Sequence, residues 1–355
     1  MQIKTLNGSF VFAVQRYETS TGSSNWLRLT DAALSEQHES PLLQAYTLRA
    51  ATQVSYARVS EWVAERSGTA RVSDQRAQQL VQEEAAALTQ AQAQLIKTSA
   101  VAPAAVQAVG VAVYDAAAAE VVWLGEGVCV SEQKAVRDKQ PKAGKERTTT
   151  DLTMLERPDG SYQTVVAGAG IDAVQLGRTV VWQEYGAQAA QLPVVAISDG
   201  ARSIKKEVQE LSGAQVTHFL DWYHVEAKVH QLLSQIAPNK AVKEATTQTM
   251  LQALWQGHAA EACAALRAVA AKNGAKQGEL LGYLEKNEAY LIDYEKRQQT
   301  GKVIGSGRME KQNDVVVAQR QKRKGMSWSK QGSLSLAMVT AQLSSRAPAR
   351  TKYLQ

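Results

Sequence analysis

The sequence predicts an α/β protein whose sheet is interrupted by a long all-helical insertion, and three observations predict it. Short β-like runs, VGVAVYD (109–115), EVVWLGEGVCV (120–130) and the two halves of DLTMLERPDGSYQTVVAG (151–168), follow one another closely. A helix-period segment, residues 172–185, then leads into the fully apolar run of LPVVAISDGA, the pattern of a buried strand after a crossover. From about residue 225 to 299 the chain carries helical spacing and no strand signal, in VEAKVHQLL, LQALWQGHAAEACAALRAV and LLGYLEKNEAYLIDYEKRQ.

SFVFAV (9–14) and NWLRLT (25–30) are short strands around a Thr/Ser/Gly turn, a small β element. Leu42, Leu43, Tyr46 and Ala50 recur at helical spacing. Ser55 caps a second helix with Val59, Trp62 and Val63 inward, and Gly68 stops it. Ser73 opens a third helix through Gln75, Gln78 and Gln79. Helix, glycine turn, helix is the layout of a helix-turn-helix, although plain helical packing uses the same turn. If the segment reads DNA, Arg71, Gln75, Arg76 and Gln79 are the side chains able to reach base edges. Ala- and Gln-rich sequence (85–107) ends in a linker near Pro103. The chain thus divides into an N-terminal β and helical DNA-binding domain (1–100), a catalytic domain (101–345) with its helical insertion at about 225–300, and a basic tail (346–355).

Within the second domain a polar, basic loop spans 131–147, and a Pro-Asp-Gly turn separates two strands after it. A helix is expected at 203–211, and QVTHFLDWYH reads as a strand running into a helix. Meandering strands, a helix, then alternating strands and helices are the order of an RNase H-like domain.

Composition bounds the class. The chain has 355 residues, 45% of them hydrophobic and 21% charged, enough for a sizeable core. Cys129 and Cys263 are far apart and lack a CxxC partner, which argues against a disulfide framework or a zinc ribbon and fits a reducing cytosol. The polar start and the lack of any run near the roughly 18 apolar residues of a membrane span predict a soluble protein, cytoplasmic and nucleoid-associated, with no membrane partner. The formal net charge is +6, and residues 301–355 hold 11 Lys or Arg against 2 acids, 11 − 2 = +9. Such a block is either a solvated tail or a footprint for phosphate backbones.

Several residues could carry chemistry. Asp199 ends the strand VVAIS and precedes Gly200, at the sheet edge where α/β sites lie, though an Asp there can also simply cap a helix. Asp221 and His224 of DWYH share one face of a first helical turn, so they could meet a phosphate, orient a ligand or form a structural pair. Glu310 stands early in a basic helix after GSG, flanked by Arg308 and Lys311, with Asp314 one turn on. Arg320, Lys322, Arg323 and Lys324 suit phosphates, and Trp328 could stack on a base, although a lone Trp is more often core.

In their order, these segments resemble the DDE transposases of bacterial insertion sequences, in particular the Mutator-like group. ISDGARSI matches the second Asp as Asp199; FLDWYH matches the group's C/DxxH motif as Asp221 and His224; GKVIGSGRMEKQNDVVVAQRQKRKGMSWS matches the Glu as Glu310. The 310 − 199 = 111 positions between the two acids leave room for the helical insertion. KTLNGSFVFAVQRY and SYARVSEWVAERSG are similar to the start of such proteins, so the resemblance covers nearly the whole chain. It implies an RNase H-like catalytic domain, and phosphoryl transfer with two Mg²⁺ ions, Mn²⁺ being able to substitute, held by Asp115, Asp199 and Glu310. Asp115 is chosen as the first acid because it ends the first strand of the domain. Related enzymes often read Asp-Gly there; this chain reads Asp115-Ala116, and Asp151, opening the third strand, is the rival, while Asp138 lies in the basic loop. Asp221 and His224 would steady flanking DNA or assist protonation. The implied partners are double-stranded DNA, both inverted-repeat ends and target, with a homo-oligomer assembled on it. Two other readings stay open: an RNase H-like nuclease without strand transfer, and a DNA-binding protein derived from a transposase that has lost catalysis.

Overall fold

The computed structural model describes residues 2–11, 16–19, 22–25, 39–99, 112–133, 146–186, 189, 192–200, 204, 216–323 and 325–345. Two hairpins open the chain: β1 (Gln2–Thr5) with β2 (Gly8–Val11), and β3 (Arg16–Thr19) with β4 (Gly22–Asn25), both antiparallel. The first begins earlier than its apolar run suggests. Leu6-Asn7 is a two-residue turn, and Gly8 takes a φ of +123° that glycine adopts without steric cost. The strand expected at 25–30 falls, beyond Asn25, outside the described residues.

Helices α2 (Tyr56–Ser67) and α3 (Asp74–Thr98) start where the sequence places their caps, and α1 (Pro41–Ala51) spans the apolar period of residues 42–50. Ser40, Ser55 and Ser73 each accept a hydrogen bond from the N–H three residues on, satisfying a donor the helix leaves open. Leu43, Ala50, Val59, Val63, Ala77, Leu80, Val81 and Ala85 form the buried side of this bundle.

The central sheet has five strands in the order β7-β6-β5-β8-β9. They are β5 (Val121–Ser131), β6 (Arg147–Glu156), β7 (Tyr162–Val165), β8 (Val194–Ser198) and β9 (Val216–Leu220). The first three run as an antiparallel meander, and β8 and β9 lie parallel to β5. Alternation in β5 sends Val122, Leu124, Val128 and Val130 into one core and Val121 and Trp123 into another. The second core is covered by α4 (Ala173–Tyr185), whose Gly177 makes room for the Trp123 ring.

Of the strand expected at 109–115, residues 109–111 lie outside the described residues. Its described end, Ala112 to Asp115, lies in turns before β5 and is hydrogen-bonded to the insertion. The Val113 carbonyl accepts from Arg297 Nη1 at 3.0 Å, and the Tyr114 hydroxyl accepts from the Asp293 N–H at 3.0 Å. Most of the helix expected at 203–211 and most of the loop at 131–147 lie outside the described residues, as do the linker after Ser99 and the tail 346–355.

The insertion is helical, as the pattern required: α5 (Trp222–Ile236), α6 (Lys240–Trp255), α7 (Ala259–Arg267), α8 (Gly274–Lys286) and α9 (Tyr294–Gln299). Trp222, Trp255 and Tyr294 pack as a ring cluster, and the Tyr294 hydroxyl donates to the Leu220 carbonyl at 2.9 Å, fastening the insertion to the end of β9. The chain then returns through α10 (Gly307–Asn313), a π-helical turn (Asp314–Ala318), α11 (Gln319–Gln321) and α12 (Lys330–Ser345). One continuous buried cluster joins the N-terminal helices, one sheet face, the insertion and α12. Residues 39–99 therefore share the core of the segment read from sequence as a separate domain.

Candidate active site

The parallel strands deliver two acids to one sheet edge. Leu124 of β5 pairs with Ile197 of β8; two residues on stand Glu126 and Asp199, directed by the period of two to the same face. Glu310 reaches that face from α10, in the second half of its first turn. Asp199 and Glu126 are half-buried and Glu310 is exposed. Burial pushes the Glu126 carboxyl above its usual range; the nearby Asp199 and Glu310 charges push it the same way, and His224 pulls against them. The three carboxylates and the imidazole thus share one electrostatic environment, although Glu126, Asp199, His224 and Glu310 come from four separate parts of the chain.

The Asp221 carboxylate is completely buried beside them. It caps α5 by accepting from the Tyr223 N–H at 2.7 Å and the His224 N–H at 3.4 Å through Oδ1. Its Oδ2 accepts from the Ser306 N–H at 2.7 Å and from the Ser306 hydroxyl, and lies 3.3 Å from His224 Nδ1, an ion-pair distance with the ring turned out of hydrogen-bond alignment. Burial opposes ionisation of Asp221, but His224 and Ser306 outweigh it and hold the carboxyl below its usual range. The same carboxylate, helped by Glu126 and Asp199 and resisted by burial, pushes His224 up to about 9. At neutral pH the imidazole is therefore a cation among acids.

Close approach at this point depends on Gly305. A Cβ there would lie 2.5 Å from Tyr223 Cδ2 and 2.9 Å from Asp221 Oδ1. Below the site, the fully buried Arg297 meets Glu120 at 2.5 Å, donates to the Val303 carbonyl at 2.8 Å, and lies over the Phe219 ring, tying the insertion's last helix to the foot of β5. A π-helical turn directly follows α10, a feature that often accompanies functional sites.

Of the residues the sequence singled out, the acids Asp199, Glu310 and Asp221 come together with His224. Asp115 does not join them. It sits in a turn ahead of β5, whereas Glu126 lies midway along that strand, and the Asp115 Oδ1 accepts from the Ala117 N–H at 2.9 Å. Asp151 pairs across from Gly127, and so lies on the sheet face opposite to Glu126. The acid that sequence reasoning missed is Glu126. Its signal was the Glu126-Gly127 step inside β5, a one-methylene-longer form of the Asp-Gly step sought at the end of the preceding run.

Among the described residues no three Asp, Glu, His or Cys side chains converge closely enough to hold a metal ion. The donor chemistry nevertheless suits a hard divalent cation: two carboxylates, Asp199 and Glu310, that disfavour the charge of a third, Glu126, and beside it the buried amide of Asn313.

The basic residues divide in two. Arg308, Lys311, Lys322 and Arg323 are exposed, Arg308 over the Tyr162 ring and Arg323 donating to the Gln53 carbonyl at 2.8 Å. Lys324 lies outside the described residues. Arg320 is corrected from a phosphate contact to a core residue: it is 1% exposed, donates to the Ala51 carbonyl at 3.0 Å, and lies between the Tyr56 and Trp328 rings. Trp328 is likewise buried, its indole N–H on the Gln321 carbonyl at 3.1 Å, so it is no free stacking platform. In the N-terminal bundle Arg71, Gln75 and Gln79 are exposed along a groove of about 660 Å³. Arg76 is removed from that set, because it is engaged by Glu39 and Glu83 at 3.0 Å each.

Among the described residues no helix is long and apolar enough to cross a membrane. The family model described as an uncharacterised protein family (UPF0236) matches residues 1–350, nearly the whole chain. No curated protein matches it.

Proposed function

We propose that this chain, which belongs to the uncharacterised family UPF0236, is a DNA transposase of the DDE type with an RNase H-like catalytic domain. The observation that carries this reading is the meeting of Glu126, Asp199 and Glu310 on one sheet face, from a central strand, its parallel neighbour and a helix beyond a long insertion. The strand order, a meander followed by two strands parallel to the first, supports the RNase H-like assignment.

In this reading Glu126, Asp199 and Glu310 hold Mg²⁺, which when bound supplies charge stabilisation at phosphorus and a more acidic attacking oxygen. The buried Asn313 amide stands beside Glu126, where its N–H can steady that carboxylate in the charged form. His224, cationic at neutral pH, offers a fixed positive charge to a phosphate oxygen at the same face. Arg308 and Lys311, exposed on either side of Glu310, orient the DNA backbone over the acids. Hydrolysis of a phosphodiester at the element's end frees a 3′-OH. That oxygen then displaces a 3′ oxygen at a target phosphodiester, so one P–O bond forms and one breaks in each step. Arg71, Gln75 and Gln79 of the N-terminal bundle supply end preference.

The test uses the purified full chain with linear DNA carrying the inverted repeats that flank its gene, a plasmid target, and Mg²⁺ or Mn²⁺. Cleavage at the repeat ends followed by covalent joining supports the proposal. Cleavage without joining points to a nuclease, and intact DNA under every metal condition, with binding retained, points to a binding protein.

A further inference from the structure

Asp221 ties together three segments that lie far apart in sequence. Its own N–H donates to the Ser198 carbonyl at 2.8 Å, and Ser198 immediately precedes Asp199. Its Oδ1 caps α5. Its Oδ2 takes both donors of Ser306, whose carbonyl in turn accepts from the Met309 N–H at 2.6 Å and the Glu310 N–H at 3.1 Å. A local helix cap accounts for Oδ1 only. The Oδ2 contacts reach 85 positions along the chain to the start of the helix that carries Glu310. Ser306 is itself buried, 3% exposed, and Gly305 has no room for a side chain against Tyr223 and Asp221. With both oxygens engaged by five groups, this carboxylate has little capacity left for a metal ion or a reacting proton.

We propose that Asp221 is a positioning residue: one buried carboxylate fixes the first turns of two helices and, through Ser198 and Ser306, sets the separation between Asp199 and Glu310. The proposal rests on reading those two acids as the catalytic pair. It gives the helical insertion a physical consequence. Residues 222–299 separate the two acids in sequence, and the Asp221–Ser306 link closes that excursion beside the acids themselves, so the site's geometry does not depend on the whole insertion being rigid.

Hydrogen exchange followed by mass spectrometry on the full chain tests it, with Mn²⁺ binding read by electron paramagnetic resonance as a second arm. Asp221→Asn keeps an oxygen for Tyr223 and His224, asparagine being a good cap, but turns an amide NH₂ toward the two Ser306 donors. Exchange over residues 306–310 should rise about tenfold or more, while residues 222–225 change by less than about threefold. Ser306→Ala, which keeps the backbone N–H, should give a smaller rise confined to 306–310; it serves as the test if Asp221→Asn fails to fold. Mn²⁺ affinity should fall about tenfold in Asp221→Asn although no ligand has been removed. Unchanged exchange at 306–310 in both variants overturns the proposal. So does faster exchange with wild-type Mn²⁺ affinity, because the link would then exist without positioning the acids. If the wild-type chain binds no Mn²⁺, the reading of the acids as metal holders fails, and the exchange arm alone decides whether Asp221 couples the two helices.

Discussion

Glu126 and Asp199 each stand two residues beyond the Leu124–Ile197 pair of adjacent parallel strands, so the two acids leave the sheet at the same level and on the same face. That relationship reassigns the first acid of the site, and the assignment can be tested by charge removal. Glu126→Gln, Asp199→Asn and Glu310→Gln should each lower Mg²⁺-dependent cleavage by several orders of magnitude and leave folding intact, since an amide keeps shape but loses the charge. Asp115→Asn and Asp151→Asn should cleave at close to the wild-type rate. A dead Asp115→Asn with an active Glu126→Gln would reverse the assignment.

Gly305→Ala should destabilise the fold by about 1–3 kcal/mol, the usual cost of forcing atoms into a packed site. The added methyl meets Tyr223 and Asp221 rather than open space. Urea unfolding checks it, with Gly307→Ala as the control, because no atom lies within 4 Å of the Cβ added there.

His224 gives the site a pH signature. Its pKa is pushed up to about 9 by the Asp221 carboxylate, from an unfolded value near 6.5. The folded state binds the proton more tightly, so this contribution to stability is fully present below about pH 6.5 and is lost as pH rises through 9. The stability difference between wild type and His224→Gln should therefore shrink across that window, and the imidazole resonance should titrate near 9. A midpoint near 6.5 would remove the ion pair from the account.

DNA binding should weaken steeply between about 50 and 200 mM salt, as counterion release requires. Replacing Arg308, Lys311, Lys322 and Arg323 by Ala should flatten that dependence, whereas Arg320→Ala should leave the slope unchanged and lower the melting temperature. The difference follows from burial: Arg320 spends its guanidinium on the Ala51 carbonyl and two rings. Equal effects on the slope would mean that Arg320 leaves its cage on DNA.

Sequence preference should be lost in Arg71→Ala combined with Gln75→Ala and Gln79→Ala, with general affinity and stability retained. These side chains are exposed and replaceable. Deleting the first 100 residues is a poorer experiment, since Val59, Val63, Ala77 and Val81 belong to the same buried cluster as the sheet. A triple variant that still discriminates end sequences from random DNA would move the specificity elsewhere.

The helices were legible because their determinants are local. Ser55 and Ser73 cap where serine precedes an apolar period, and the insertion shows its spacing without interruption. Asp199 was legible because a fully apolar strand ends at it. Glu126 was not, because it interrupts a strand rather than ending one, and its partners Asp199 and Glu310 are recruited by parallel pairing and by a helix nearly 200 positions on. Arg320 and Trp328 misled for a related reason: a cation beside an aromatic reads alike whether it faces a phosphate or sits in a cage. Only packing separates the two.

The Arg320–Ala51 hydrogen bond spans 269 positions, and α12 packs against α3, β6 and β7. During synthesis β5 and its acid leave the ribosome long before the segments that pack on the sheet. Until α10 and α12 emerge, the nascent chain exposes Val122, Leu124, Val128 and Val130 and holds only part of its acid cluster. Such non-local closure makes folding slow. Under the proposed function it would also withhold cleavage competence until nearly the whole polypeptide has been made, so that prematurely ended chains would be aggregation-prone and harmless to DNA.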